Sequence, residues 1–237
     1  TWVSWRATLS ARGVRAVTDY DLCYTASLTT SNNCRDDYQN DSQSLLLEHT
    51  GEGQSSQVRW SESNSERAYA TDNTVGFSTQ GKNRQISALH SRNLMNDLSL
   101  TVGIDLDEQG YDDGADQRTR DNNATFVNLR RQSERLTLSA GIRSDDNDDF
   151  GRHTSWRLTA LSQTPLDNVV LKIAAGTGFR APSPYEIGYN SGPWAYAPAA
   201  DQPLSEEQSA GWELGLRDTS GALVWEITYF DQDITDA

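Results

Sequence analysis

The sequence predicts an all-β chain, folded as an antiparallel meander that forms part of the wall of a transmembrane β-barrel. Three observations carry this expectation. Apolar and polar residues alternate with period two, as side chains do on the two faces of a strand. Long and short connections alternate between the strands. No segment approaches the roughly 18 apolar residues of a membrane helix, the best run being Val169–Ala175, which contains Lys172.

Taken in order, the first strand is expected over 1–12, with Val3, Trp5, Ala7, Leu9 and Ala11 set against Ser4, Arg6, Thr8, Ser10 and Arg12. Weaker alternation marks 43–50, 56–64 and 84–91. The clearest run is 97–108, where Leu98, Leu100, Val102, Ile104 and Leu106 interleave with Ser99, Thr101, Gly103, Asp105 and Asp107. Strands follow at 124–132, 135–144, 154–161, 168–177, 210–217 and 222–231, giving eleven. Helical spacing appears nowhere with comparable strength.

The connections at 13–42, 65–83, 109–123, 145–153 and 178–209 are long; those at 51–55, 92–96, 133–134, 162–167 and 218–221 are short. In a meander these two sets lie at opposite ends, which is the asymmetry of an outer-membrane barrel. Alternation alone does not separate such a barrel from a soluble secreted β-sandwich, for example a glycan-binding or adhesin module. Charges on the polar side (Arg6, Arg12, Asp105, Arg135, Arg143, Arg157, Glu213, Glu226) suit a wet lumen. Trp5, Trp60, Trp156, Trp212 and Trp225 suit interfacial aromatic girdles.

The chain has 237 residues, and 20 Lys plus Arg stand against 34 Asp plus Glu, a net charge of −14. Nucleic acid is therefore not an expected partner. The three histidines (His49, His90, His153) are scattered, and no nucleophile elbow, phosphate loop or zinc spacing occurs, so no enzyme is expected. Asp145, Asn147 and Asp149 imitate a calcium loop, but Phe150 stands where glycine is required and Trp156 where glutamate is. Cys23 and Cys34 share one polar segment without metal-ligand spacing; a disulfide in an oxidising compartment and two free thiols both remain open.

From residue 97 onward the sequence resembles the barrel of a TonB-dependent outer-membrane receptor. The resemblance rests on AGTGFRAPSPYEIGY (Ala175–Tyr189), PLSEEQSAGWELGLRD (Pro203–Asp218) and YFDQDITD (Tyr229–Asp236), in the family's order and spacing. Within the family, GIRSDDNDDFGRHTSWRL (Gly141–Leu158) and Val102–Gln132 are most similar to the cobalamin receptors, with siderophore receptors as the alternative. The resemblance implies a bacterial outer-membrane location and active uptake of a corrinoid or a ferric siderophore. Implied partners are membrane lipid and lipopolysaccharide, plus an inner-membrane TonB energy complex acting through an N-terminal plug. Plug and closing C-terminal strands are expected to lie outside residues 1–237, which would supply half of a barrel of about 22 strands.

Candidate substrate contacts are aromatic and polar residues of the long connections: Tyr111, Arg180, Tyr185, Tyr189, Trp194 and Tyr196. The resemblance also points to early-loop aspartates, Asp21, Asp36 and Asp41, as calcium ligands; plain surface acidity is the alternative. No other cofactor is expected. A Cys23–Cys34 bridge would hold these acids together or replace calcium as the device that orders the loop.

Overall fold

The computed structural model describes residues 4–24, 29–166, 168–192, 202–218 and 224–236. Its strands are β1 (Ser4–Tyr20), β2 (Cys23–Tyr24), β3 (Thr30–Ser31), β4 (Cys34–Gly51), β5 (Gln54–Thr71), β6 (Thr74–Asn93) and β7 (Leu98–Asp112). They continue as β8 (Gln117–Gln132), β9 (Leu136–Asn147), β10 (Gly151–Gln163), β11 (Val169–Arg180), β12 (Glu207–Asp218) and β13 (Trp225–Thr235). One helix, α1 (Pro184–Ser191), interrupts the connection between β11 and β12. Eleven strands form a single sheet, β1-β4-β5-β6-β7-β8-β9-β10-β11-β12-β13, antiparallel throughout; β2 and β3 make a separate miniature hairpin. The meander and its strand number are those the alternation predicts. Among the described residues the sheet does not close on itself: β1 and β13 are its edges.

Cross-strand register shows why alternation maps onto two faces. Trp60 pairs with Ile86, Ile86 with Leu106, Val102 with Val127, Val127 with Ile142, and Ile142 with Trp156. Partners project to the same side, so one apolar face runs across the sheet, and all five expected tryptophans pair into it. Among the described residues no second sheet covers this face. Ile104, Ile142, Leu158, Trp212 and Ile227 stay 44 to 70% exposed. Each large apolar side chain left in water forgoes about 1.5–3 kcal/mol, so a face this wide must meet hydrocarbon. The sandwich reading fails on that point. On β7 the apolar run Leu98–Leu106 has the length of one membrane crossing.

The other face is charged. Arg143 pairs with Asp105 and Asp145 across three neighbouring strands, and Lys172 reaches Glu226 across β12. Gly103 lies on this face beneath the Phe126 ring, and a Cβ there would stand 2.2 Å from the ring. The aromatic covers the gap that the glycine leaves.

The connections are shorter than expected at one end. Segments 65–83, 109–123 and 145–153, read as long loops, are taken up by strand extensions that leave only 72–73, 113–116 and 148–150 as turns. The extensions lie beyond the apolar band, so both their faces are polar and the period-two signal vanishes. Ladder hydrogen bonds and cross-strand pairs such as Arg67–Asp36 and Arg152–Asp146 hold them instead. Asp72 and Asn73, both at positive φ, make the two-residue turn that suits a twisted hairpin. The connections 21–33 and 181–206 remain long, and they lie at this same end.

Candidate functional site

The charged face and the long connections meet at α1. Ser183 caps the helix: its side chain accepts from the Glu186 amide, while Glu186 accepts from the Ser183 amide. Pro184 occupies the first helical position, where its missing N–H costs nothing. Three cations strap this element to the sheet. Arg120, only 5% exposed, donates to the Pro182 carbonyl and to Gln109 Oε1. Arg118 donates to Ser191 Oγ at 3.1 Å, at the other end of the helix. Arg180 binds Glu186 at 2.5 Å and Glu207 at 2.7 Å, tying the helix start to β12.

The fastened helix presents an aromatic group. The Tyr185 ring meets Tyr111 edge-on at 5.6 Å, and Tyr189 lies 6.2 Å from Tyr185. Close approach depends on Gly188, since a Cβ there would sit 3.0 Å from the Tyr111 ring. Tyr111 is 8% exposed and its hydroxyl donates to Asp113. Burial first, then that bond to a carboxylate, pushes the phenol well above its ordinary value, so it remains a donor. Backbone amides of Asp116 and Ala115 hold the Asp113 carboxyl below the usual range. On the neighbouring extensions Tyr69 stacks with Phe77 at 6.1 Å, and the Arg67 guanidinium lies 4.8 Å from the Tyr69 ring centroid.

Of the residues expected to touch substrate, Tyr111, Tyr185 and Tyr189 come together. Tyr111 does so from the end of β7 rather than from a loop. Arg180 ties the start of the same helix to β12 through one bond from each Nη nitrogen, and its side chain stays about half exposed. Trp194 and Tyr196 lie outside the described residues. Cys23 and Cys34 are joined, with Cα atoms 6.0 Å apart. The aspartates do not converge. Asp36 faces the charged side and is held by Arg67, whereas Asp41 lies on the opposite face, accepting from Gln39. Asp21 sits in the turn after β1. Among the described residues no group of three potential ligands could hold a metal ion.

Sequence reasoning missed Arg67, Tyr69, Arg118, Arg120 and α1 itself. The helix had a readable signal, the capping box Ser183-Pro184-Tyr185-Glu186. Arg118 and Arg120 share a face by period two, but nothing in an isolated polar strand says what that face meets.

An uncovered apolar face backed by a charged one, with an aromatic cluster at the long-connection end, defines an outer-membrane β-barrel receptor. Residues 3–237 match the family model described as "TonB dependent receptor-like, beta-barrel", and the chain belongs to that family of the bacterial outer membrane. The vitamin B12 transporter BtuB of Vibrio vulnificus is 31% identical over 146 residues, 59% of this chain and 22% of that protein. BtuB of Photobacterium profundum is 28% identical over 152 residues, 60% of the chain and 24% of that protein. The matches thus span less than a quarter of these relatives. Among solved structures, the siderophore receptor PirA of Pseudomonas aeruginosa superposes with a TM-score of 0.73 at 18% identity, over 85% of this chain and 40% of that one. A mutant ferric enterobactin receptor PfeA of the same organism gives 0.74 at 17% identity, over 98% and 40%.

Proposed function

We propose that these residues form part of the barrel wall of a TonB-dependent active transporter that takes up a corrinoid across the outer membrane. The observation that carries the reading is the ring cluster of Tyr111, Tyr185 and Tyr189, held on the lumenal face at the end with the long connections, the extracellular end in this proposal. A large, partly apolar ligand is gripped by ring faces and a few fixed hydrogen bonds. The Tyr111 hydroxyl, committed to Asp113, fixes its ring beneath Tyr185. The likeness to BtuB favours a corrinoid. The structural neighbours support the barrel, and with it the alternative of a ferric siderophore.

In this proposal the strands that complete the barrel and the plug that fills it belong to the full-length protein. The inner-membrane TonB complex acts through that plug. Lipopolysaccharide surrounds the extracellular rim, and no covalent chemistry takes place. Ordering of the first extracellular connection, which calcium would otherwise supply at Asp21, Asp36 and Asp41, falls to the Cys23–Cys34 bridge. Binding of cyanocobalamin and of ferric enterobactin to the full-length protein in detergent tests the reading. Cyanocobalamin should bind, and a Tyr185→Ala, Tyr189→Ala variant should bind it about tenfold more weakly, the loss of one to two aromatic contacts. Binding of the ferric siderophore alone would transfer the same site to the alternative ligand.

A further inference from the structure

The apolar face is not uniform. Near the short-turn end it carries a groove of about 510 Å³, lined almost wholly by carbon. Its floor is made by Ala140, Ala160 and Ala175, on three successive strands, and its walls by Leu129, Leu138 and Leu158. Register explains the shape: Ala140 and Ala175 flank Leu158, and Ala160 sits between Leu138 and Ile173. Small and large side chains therefore alternate along and across the strands.

At the mouth of the groove stands Arg131, next to the 94–97 turn. Its Nε donates to Asp97 Oδ2 at 2.9 Å. Both groups are open to their surroundings, with 68% and 37% of their side-chain area exposed. Among the described residues the two Nη nitrogens make no hydrogen bond. Short turns lie on the periplasmic side of such barrels, which places this cation–anion pair at the inner-leaflet headgroup level.

We propose that the groove is a specific site for one glycerophospholipid of the periplasmic leaflet with a zwitterionic headgroup. One acyl chain lies along the alanine floor, the phosphate bonds the Nη groups of Arg131, and the headgroup ammonium pairs with Asp97. Charge complementarity selects this occupant: a cation and a carboxylate fixed side by side match a phosphate and an ammonium fixed side by side. An anionic lipid satisfies only Arg131. Lipopolysaccharide belongs to the other leaflet. The site depends on the membrane location alone and not on the transported ligand.

The test uses the full-length protein, delipidated in detergent, with dioleoyl phosphatidylethanolamine, dioleoyl phosphatidylglycerol and dioleoylglycerol titrated in and bound lipid counted by native mass spectrometry. One phosphatidylethanolamine should be retained, at least about tenfold more tightly than dioleoylglycerol. Arg131→Gln should abolish that preference. Ala140→Leu with Ala160→Leu should remove the bound lipid while heat-modifiable gel migration shows the barrel still folded. Asp97→Asn should equalise phosphatidylethanolamine and phosphatidylglycerol. The proposal is overturned by graded, unsaturable binding, by equal retention of all three lipids, by a filled groove that binds as before, or by a dimer that the groove-filling variant dissociates.

Discussion

The guanidinium of Arg120 donates to the carbonyl oxygen of Pro182, 62 residues away along the chain. A nearly buried cation on β8 thereby fixes the backbone where β11 gives way to α1, and with it the position of Tyr185 and Tyr189. The same side chain holds Gln109 on β7 and lies 3.9 Å from Asp149, so one strand and two connections converge on one residue.

Replacing Arg120 with alanine should loosen α1 without unfolding the sheet. It leaves a carbonyl and an amide oxygen unsatisfied, each costing about 1–3 kcal/mol where buried. Hydrogen exchange in 181–192 should accelerate roughly 10- to 100-fold, and substrate affinity should fall with it. Unchanged exchange in that segment would show that Arg118 and Arg180 suffice.

The capping of α1 should fail in acid. Neighbouring donors, the Ser183 amide first and then Arg180, hold the Glu186 carboxyl below its ordinary value of 4.5. A depressed folded value means the stabilisation is complete above that ordinary value and is lost as pH falls through the lower one. Exchange of α1 amides, corrected for intrinsic rates, should thus report constant local stability from pH 7 to about 5 and a decline below. The Arg180 part is screened by solvent at a side chain 37% exposed, so the decline should be about 0.5–1 kcal/mol, mostly the cap. Glu186→Gln should lower the plateau and flatten the curve; an unaltered curve contradicts this.

Reducing the Cys23–Cys34 bridge, or mutating both cysteines to serine, should act locally. An eleven-residue separation corresponds to about 2–3 kcal/mol of chain-entropy stabilisation. Cleavage by added protease on intact cells should appear within 21–33 under reductant, while heat-modifiable migration of the barrel persists. Loss of the folded barrel would mean that the bridge supports more than its own connection.

The sheet was legible where one face meets hydrocarbon, because only there does the environment force alternation. Leu98 to Leu106 on β7 is the clearest case. Beyond the band both faces are wet, and the extensions around Thr71–Thr74 and Asp112–Gln117 read as loops although they are paired strand. The aromatic site was half legible. Tyr111, Tyr185 and Tyr189 stand out as rings in polar segments, whereas the sequence does not show that Arg180, a candidate contact, also straps α1 to β12. Arg120 gave no local signal, because its burial comes from a segment 62 residues distant.

The central claim is that the face bearing Ile104 meets lipid and the opposite face meets water. Its most direct test compares Ile104→Arg with Ser87→Arg in the full-length protein folded into bilayers, with stability read by denaturant titration. Both residues lie within the membrane band of adjacent strands, on opposite faces. Ile104→Arg should destabilise by about 2–4 kcal/mol, and Ser87→Arg by under about 1 kcal/mol. Equal costs at the two positions, or a greater cost at Ser87, would contradict the assignment of the faces.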